Sequence, residues 1–194
     1  RTAAPVGAAG ANLLANADFT TGAVAPWGAF NDVVARVSGG VFEFYRPGTP
    51  GVLAGGVLQA TGQTMSANQI VTATFQLGNS STVRKRVTVL LHVLDFSDLT
   101  ACTYWLEPGS PLSSFGIRSY ASKAWSNATL SVYAASIGGD PWMRLDNSSS
   151  NRTPGPSQFL GTECFGPGSA PAPNFAGETA DIVRPGVVAL GRAA

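Results

Sequence analysis

Apolar and polar residues alternate in short segments that turn residues separate from one another. Between residues 71 and 77 the apolar side chains share one face of an extended chain, and threonine and glutamine share the other. This pattern predicts a half-buried strand, and residues 128–134 repeat it. Residues 33–37 and 41–45 are also strand-like, and the Gly-Gly pair between them predicts a hairpin.

Residues 86–96 differ, because apolar side chains occur on both faces of this segment. Such a pattern is typical of a central strand that is covered on both sides. No stretch of a dozen residues keeps the 3.6-residue period of an amphipathic helix. Many short strands, separated by Gly, Pro, Asn and Ser, predict an all-β fold, and their spacing favours a sandwich.

The charge pattern narrows the classes of partner. Only 12% of the residues are charged and the net charge is +1, which gives no electrostatic reason to expect nucleic acid or an anionic membrane surface. No apolar run is long enough for a membrane-spanning helix. The one basic cluster, residues 84–86, is expected to be a solvated strand entrance.

The chain contains two cysteines, Cys102 and Cys164, whose spacing matches no metal motif. An even count in a Gly-, Ser- and Thr-rich chain favours one disulfide and an oxidising compartment, so we expect a secreted or cell-surface protein. Closing a loop of this size would contribute about 4 kcal/mol in the chain-entropy model. Two buried thiols are the alternative.

Composition divides the chain into three parts. Residues 1–11 form a small, apolar N-terminal extension, residues 12–164 carry the strand patterns, and residues 165–194 combine a Pro/Gly linker with a β-prone tail. The chain begins at arginine rather than methionine, as expected of a processed form. The apolar residues of the tail that could add to a sheet edge of a neighbouring molecule are Ile182, Val183, Val187, Val188 and Leu190.

Three motifs resemble the carbohydrate-binding modules of the family 4/9/22 type. "NLLANADF" at residues 12–19, followed by Pro26-Trp27, resembles their opening. Residues 124–136 resemble the penultimate strand, and residues 142–149 resemble the closing strand. The resemblance covers about residues 12–150. It implies a single jelly-roll β-sandwich, here with extended N- and C-terminal tails, often with one structural Ca²⁺.

The resemblance also implies where calcium would bind. Asp18 and Asp146 occupy the segments that meet in the family's metal site, and backbone carbonyls would complete an oxygen shell. The alternative is that Asp146 accepts N–H bonds and caps the terminal turn. Thr20 stands where the family has an acidic residue, and Ser148 stands where it has an aliphatic one. The second departure predicts that the closing strand leaves the core early. No cofactor is required.

Sugar binding uses exposed aromatic rings together with planar polar side chains. Trp105 and Tyr120 are the best candidates for an exposed platform, and Trp142 and Arg144 are expected to face outward from the closing strand. The two other tryptophans, Trp27 and Trp125, are expected in the core.

Catalytic constellations are absent from the sequence. His92 is the only histidine, no nucleophile elbow of the G-x-S-x-G type occurs, and Asp95 and Asp98 are typical of an Asx-type turn. We therefore expect a protein without enzymatic activity. Four Asn-x-Ser/Thr sequons mark potential surface loops, at Asn79, Asn127, Asn147 and Asn151.

Two functions compete at this stage. The first is an extracellular structural subunit that assembles with copies of itself into a filament or similar polymer, through contacts between a tail and a sheet. The alternative is a glycan-binding module of a secreted or cell-surface protein, with a polysaccharide as partner. The isolated module and its β-prone tail favour the first.

Overall fold

The computed structural model describes residues 10–138, 141–156 and 161–171, and its regular elements there are all β-strands. Residues 1–9 and 172–194, which hold most of the predicted extension and the whole β-prone tail, lie outside the described residues. The described part contains no helix that is long and apolar enough to cross a membrane.

Two antiparallel sheets pack face to face. In spatial order, sheet A contains β1 (Gly28–Phe30), β4 (Gly56–Ala60), β9 (Ala128–Ala134), β6 (Lys85–Val93), β7 (Leu99–Leu106) and β12 (Ser169–Pro171). Sheet B contains β11 (Glu163–Phe165), β8 (Ser113–Tyr120), β5 (Gln69–Asn79), β10 (Met143–Pro156), β3 (Val41–Tyr45) and β2 (Val34–Ser38). The chain changes sheet four times between β5 and β10, and only β6 and β7 follow one another within the same sheet. The predicted all-β sandwich is confirmed.

Local sequence patterns account for individual strands. The predicted hairpin is β2–β3, and its two turn glycines, Gly39 and Gly40, both have positive φ, as the favoured two-residue turn requires. The segment with apolar residues on both faces is β6, which lies between β9 and β7 inside sheet A.

The core lies between the two sheets. The inward side chains of β5 and β6 meet there, and the tryptophans Trp27 and Trp125 are buried as predicted. Tyr104 connects the layers, because its hydroxyl in sheet A donates a 2.7 Å hydrogen bond to the Gly116 carbonyl in sheet B. Burial raises the pKa of Tyr104 well above its usual range, so the hydroxyl stays a donor.

The opening motif fastens the chain to both sheets. Asn12 donates to the Ser148 carbonyl and accepts the Ser150 N–H, both in sheet B. Gln59 in sheet A donates to the Ala15 carbonyl and accepts the Ala15 N–H. The motif therefore closes the end of the sandwich between the layers.

The closing strand does not leave the core early, and that prediction was wrong. A β-bulge lies between Asp146 and Ser149, where Asn147 has a φ of 44°. The extra residue shifts the alternation, so that Ser148 and Ser150 become buried and β10 continues to Pro156.

A disulfide joins Cys102 in β7 to Cys164 in β11, as predicted. It connects sheet A to sheet B at the edge where β12 joins β7.

Candidate functional site

The outer side of sheet B presents polar side chains from adjacent strands. Register pairs Glu43 with Arg144, and the strand alternation points both away from the core. The same rule places Gln76 beside Asp146. We call this surface the polar face. Its residues are Arg36, Glu43, Thr72, Thr74, Gln76, Arg118, Arg144, Asp146, Ser149, Asn151 and Glu163.

An aromatic pair lies at one end of the polar face. The ring of Trp142 packs edge-on against Tyr45, with centroids 4.7 Å apart. The guanidinium of Arg36 lies 4.1 Å from the centre of the Trp142 ring, and Glu43 holds that guanidinium through a 2.7 Å ion pair. The half-buried tryptophan is therefore fixed in orientation before any ligand arrives.

Arg144 leaves polar atoms without partners beside this pair. Its Nη2 donates a 3.1 Å hydrogen bond to the Ser110 carbonyl. Its Nε and the Ser110 hydroxyl are both buried, and neither has a hydrogen-bond partner among the described residues. Buried donors are rarely left unpaired, so this corner is suited to an added hydroxyl or water. We call Trp142, Arg144 and Ser110 the polar corner.

The four predicted glycan-binding residues do not lie together. Trp142 and Arg144 are in the polar corner. Tyr120 pairs with Ile70 at the opposite end of the polar face, roughly 30 Å away by the rise per residue along β5. Trp105 lies on the outer side of sheet A.

Trp105 is 39% exposed, and guanidinium groups lie over its ring, as Arg36 lies over the ring of Trp142. The Arg84 guanidinium lies 4.5 Å from the ring centre and also pairs with Glu107 at 2.9 Å. Within the same basic cluster Lys85 is only 2% exposed, so the prediction of a fully solvated cluster was wrong for that residue. Its place at the start of the central strand β6 accounts for the burial.

Asp18 and Asp146 are close enough for their charges to interact. Burial, and then the charge of Asp18, raises the pKa of Asp146, although an N–H from Asn147 opposes this. Hydrogen bonds from the Thr20 N–H and hydroxyl lower the pKa of Asp18. Both carboxylates suit a hard cation, but no third His, Cys, Asp or Glu joins them among the described residues. Main-chain carbonyls would have to complete the shell, and calcium stays a prediction.

Both ring nitrogens of His92 have partners inside the fold. Its Nδ1 is 2.8 Å from the Val93 carbonyl and its Nε2 is 2.7 Å from the Ser131 hydroxyl. The ring stacks on Phe96 at 4.1 Å, and burial lowers its pKa to about 4. Asp98 departs from the predicted turn role, because it is buried and accepts the Trp125 indole N–H at 2.7 Å.

The sequons occupy different environments. Asn79 is fully buried, and its amide donates to three backbone carbonyls, so this sequon is not the surface loop that the motif indicates. Asn147 is exposed at the bulge.

Sequence reasoning missed Ser110 and Arg36. Neither lies in a motif, and each acquires its place through partners more than 30 residues away in sequence, Arg144 and Trp142. A search for arginines opposite glutamates in the β2–β3 hairpin would have indicated Arg36.

Comparisons with known proteins identify the fold. No family model and no curated protein matches this chain. A carbohydrate-binding module of family 4 has a TM-score of 0.53 at 15% identity, covering 72% of this chain and 99% of its own. A Stig cyclase from Fischerella sp. TAU has a TM-score of 0.57 at 12% identity, covering 75% and 98%. An arabinose-bound α-L-arabinofuranosidase has a TM-score of 0.57 at 15% identity.

That last match includes 73% of this chain but only 26%, about a quarter, of the arabinofuranosidase. At these identities the likeness shows the fold. The chain has the jelly-roll fold of carbohydrate-binding modules, and the predicted jelly roll is confirmed. The same fold occurs in a protein described as a cyclase, so fold alone does not separate binding from catalysis.

Proposed function

We propose that the protein is a non-catalytic glycan-binding module that takes a polysaccharide on its polar face. The polar corner carries this proposal: the Arg144 Nε and the Ser110 hydroxyl are buried and unpaired within the described residues, beside a tryptophan fixed by Arg36. A sugar presents both an apolar ring face and hydroxyl groups, and the corner offers a partner for each.

This proposal replaces self-assembly as the main function. The tail residues on which assembly depended, Ile182 to Leu190, lie outside the described residues, and the part of the chain that the structure describes gives self-association no support. The disulfide supports an extracellular location, because such bonds persist in oxidising compartments.

Affinity electrophoresis through gels that contain soluble xylan, galactan or mixed-linkage glucan tests the proposal. We expect retardation by at least one polymer, and Trp142→Ala should weaken it at least about tenfold, as loss of a central aromatic contact does in other interfaces. Arg144→Met should weaken it as well, because the donor is lost while the side-chain length is kept.

Trp105→Ala is the matched control, since it removes the same residue type from the other sheet. It should leave retardation unchanged. The proposal would be overturned if none of the soluble polymers slowed the wild-type protein and if insoluble cellulose and chitin did not retain it in a pull-down.

A further inference from the structure

Phe165 is an exposed aromatic residue that lies on the same side of sheet B as the polar face. It ends the short edge strand β11, beyond residues 12–150, the segment that resembles carbohydrate-binding modules, and its side chain is 44% exposed. Register pairs it with Gly116, an outward position of β8 that also pairs with the outward Thr74 of β5. Strand alternation therefore directs the Phe165 ring outward, on the same side as Thr74.

Gly116 allows the ring to lie across β8. A β-carbon at this position would be 3.3 Å from Cδ2 of Phe165 and 3.5 Å from Cγ2 of Thr74. The two side chains therefore approach each other above a strand position that has no side chain of its own. The aromatic ring reaches from the edge strand toward the middle of the polar face.

Contacts on both sides of Phe165 fix its backbone. Cys164 points inward and forms the disulfide with Cys102. On the other side the chain turns, the Ser169 N–H donates to the Gly166 carbonyl at 3.3 Å, and β12 then pairs with β7. A ring that is held in place before a ligand arrives loses less conformational freedom on binding.

Hydroxyl and amide groups lie between Phe165 and the tryptophan of the polar corner. The hydroxyls of Thr74 and Ser149 are 2.9 Å apart. The side-chain amide of Asn147 donates to the Gln76 side chain at 3.1 Å. By the rise along β5 and the spacing between strands, the two aromatic rings are roughly 20 Å apart. Aromatic rings separated by hydroxyls and amides suit a chain of sugars, in which apolar ring faces and hydroxyl groups recur.

We propose that Phe165 is a second aromatic contact for the bound polysaccharide, and that a saccharide must be several sugars long to reach both rings. The inference rests on the proposed function. A chain that contacts the tryptophan of the polar corner has to cross roughly 20 Å of β10 and β5 before it reaches Phe165. A short saccharide contacts one ring, whereas a long one contacts both and binds more tightly because its second contact is intramolecular.

Isothermal titration calorimetry with fragments of xylan, galactan and mixed-linkage glucan, from disaccharide to hexasaccharide, tests this inference. For the wild type the affinity should rise with length until a fragment reaches both rings. Phe165→Ala should weaken binding of the hexasaccharide at least about fivefold and leave binding of the disaccharide at the polar corner unchanged. Phe165→Leu should also lose affinity for the hexasaccharide, because leucine keeps the apolar bulk without a flat aromatic face.

Leu94→Ala is the matched control, because Leu94 is 45% exposed and lies in the turn that follows β6 in the other sheet. It should leave every affinity unchanged. If Phe165→Ala does not fold, as judged by circular dichroism, Phe165→Leu carries the test.

The outcomes separate this inference from the proposed function. A hexasaccharide that binds the wild type and the folded Phe165 variants equally well would overturn this inference alone. So would an equal loss of affinity at every length, because Phe165 would then act through the fold. If no fragment and no polymer bound the wild type, the proposed function itself would fail, and this inference with it.

Discussion

The two outer faces of the sandwich start from the same strand alternation and end in opposite states. On the polar face, β5 directs Thr72, Thr74 and Gln76 outward, and charged residues of the neighbouring strands surround them. On the outer side of sheet A, which we call the covered face, β6 directs Thr88 and Leu90 outward, and both are fully buried. The inward residues of β5 and β6 are apolar on both sheets. The outward residues therefore determine whether the outer side of a sheet is a polar surface or a buried one.

Removal of the disulfide, which joins sheet A to sheet B, is expected to lower the stability of the protein most. Replacing Cys102 and Cys164 with alanine should lower the free energy of unfolding by about 4 kcal/mol, because the denatured chain gains the freedom of a loop with a sequence separation of 62. Guanidinium denaturation of the oxidised and double-alanine proteins measures this. A loss under about 1 kcal/mol would mean that the sheets are held together without the edge at β11 and β12.

Truncating one outward side chain on each sheet compares the faces directly. Leu90→Ala should cost about 3 kcal/mol, as other buried leucines do. Gln76→Ala, at an outward position on the polar face, should stay within about 0.5 kcal/mol. Urea denaturation gives both values. Equal losses would show that the covered face is not packed.

Acid should act on the covered face through His92. Because burial lowers its folded pKa to about 4, below the unfolded value of 6.5, the unfolded state takes up a proton first as the pH falls. The hydrogen bond to the Val93 carbonyl, and then the charge of Asp95, oppose this shift in part. Stability should fall by about 2 kcal/mol between pH 7 and pH 5, and the loss should end near pH 4.

His92→Gln removes this titration and serves as the comparison in denaturant melts at pH 7, 6 and 5. An equally steep loss in the variant would assign the pH dependence to other groups.

The smallest effect is expected at Asp146 on the polar face. Its folded pKa is raised, so its charge opposes folding at neutral pH and the cost disappears as pH falls through the folded pKa. With chelator present, Asp146→Asn should be as stable as the wild type or more stable by less than about 1 kcal/mol. Added Ca²⁺ should raise the melting temperature of the wild type alone. Equal responses to Ca²⁺ would remove Asp146 from any calcium site.

The sequence predicts the strands and their inward side chains better than it predicts which outward side chains become buried. Alternation alone defines β5, the β2–β3 hairpin and the inward direction of Met143 and Leu145, because each depends on neighbours along the chain. The burial of Lys85 and the bulge at Asn147 were not predicted, since each follows from the packing of distant strands.

The candidate site is predictable only in part for the same reason. Trp142 and Arg144 share a strand, so their outward direction follows from alternation. Their partners, Arg36 and Ser110, come from another strand and a loop, and no local pattern shows that they contact Trp142 and Arg144. The separation of Trp105 from Tyr120 likewise depends on which sheet each strand joins, which no local pattern specifies.

The burial of Asn79 bears on how the protein is produced. Its side-chain amide holds the Val83, Leu106 and Glu107 carbonyls in place inside the fold. A secretory host that attaches sugars during translation would meet this sequon before the strands close around it, and an attached glycan could not be accommodated there. Expression in a host without that modification avoids this block and keeps the three hydrogen bonds of the Asn79 amide.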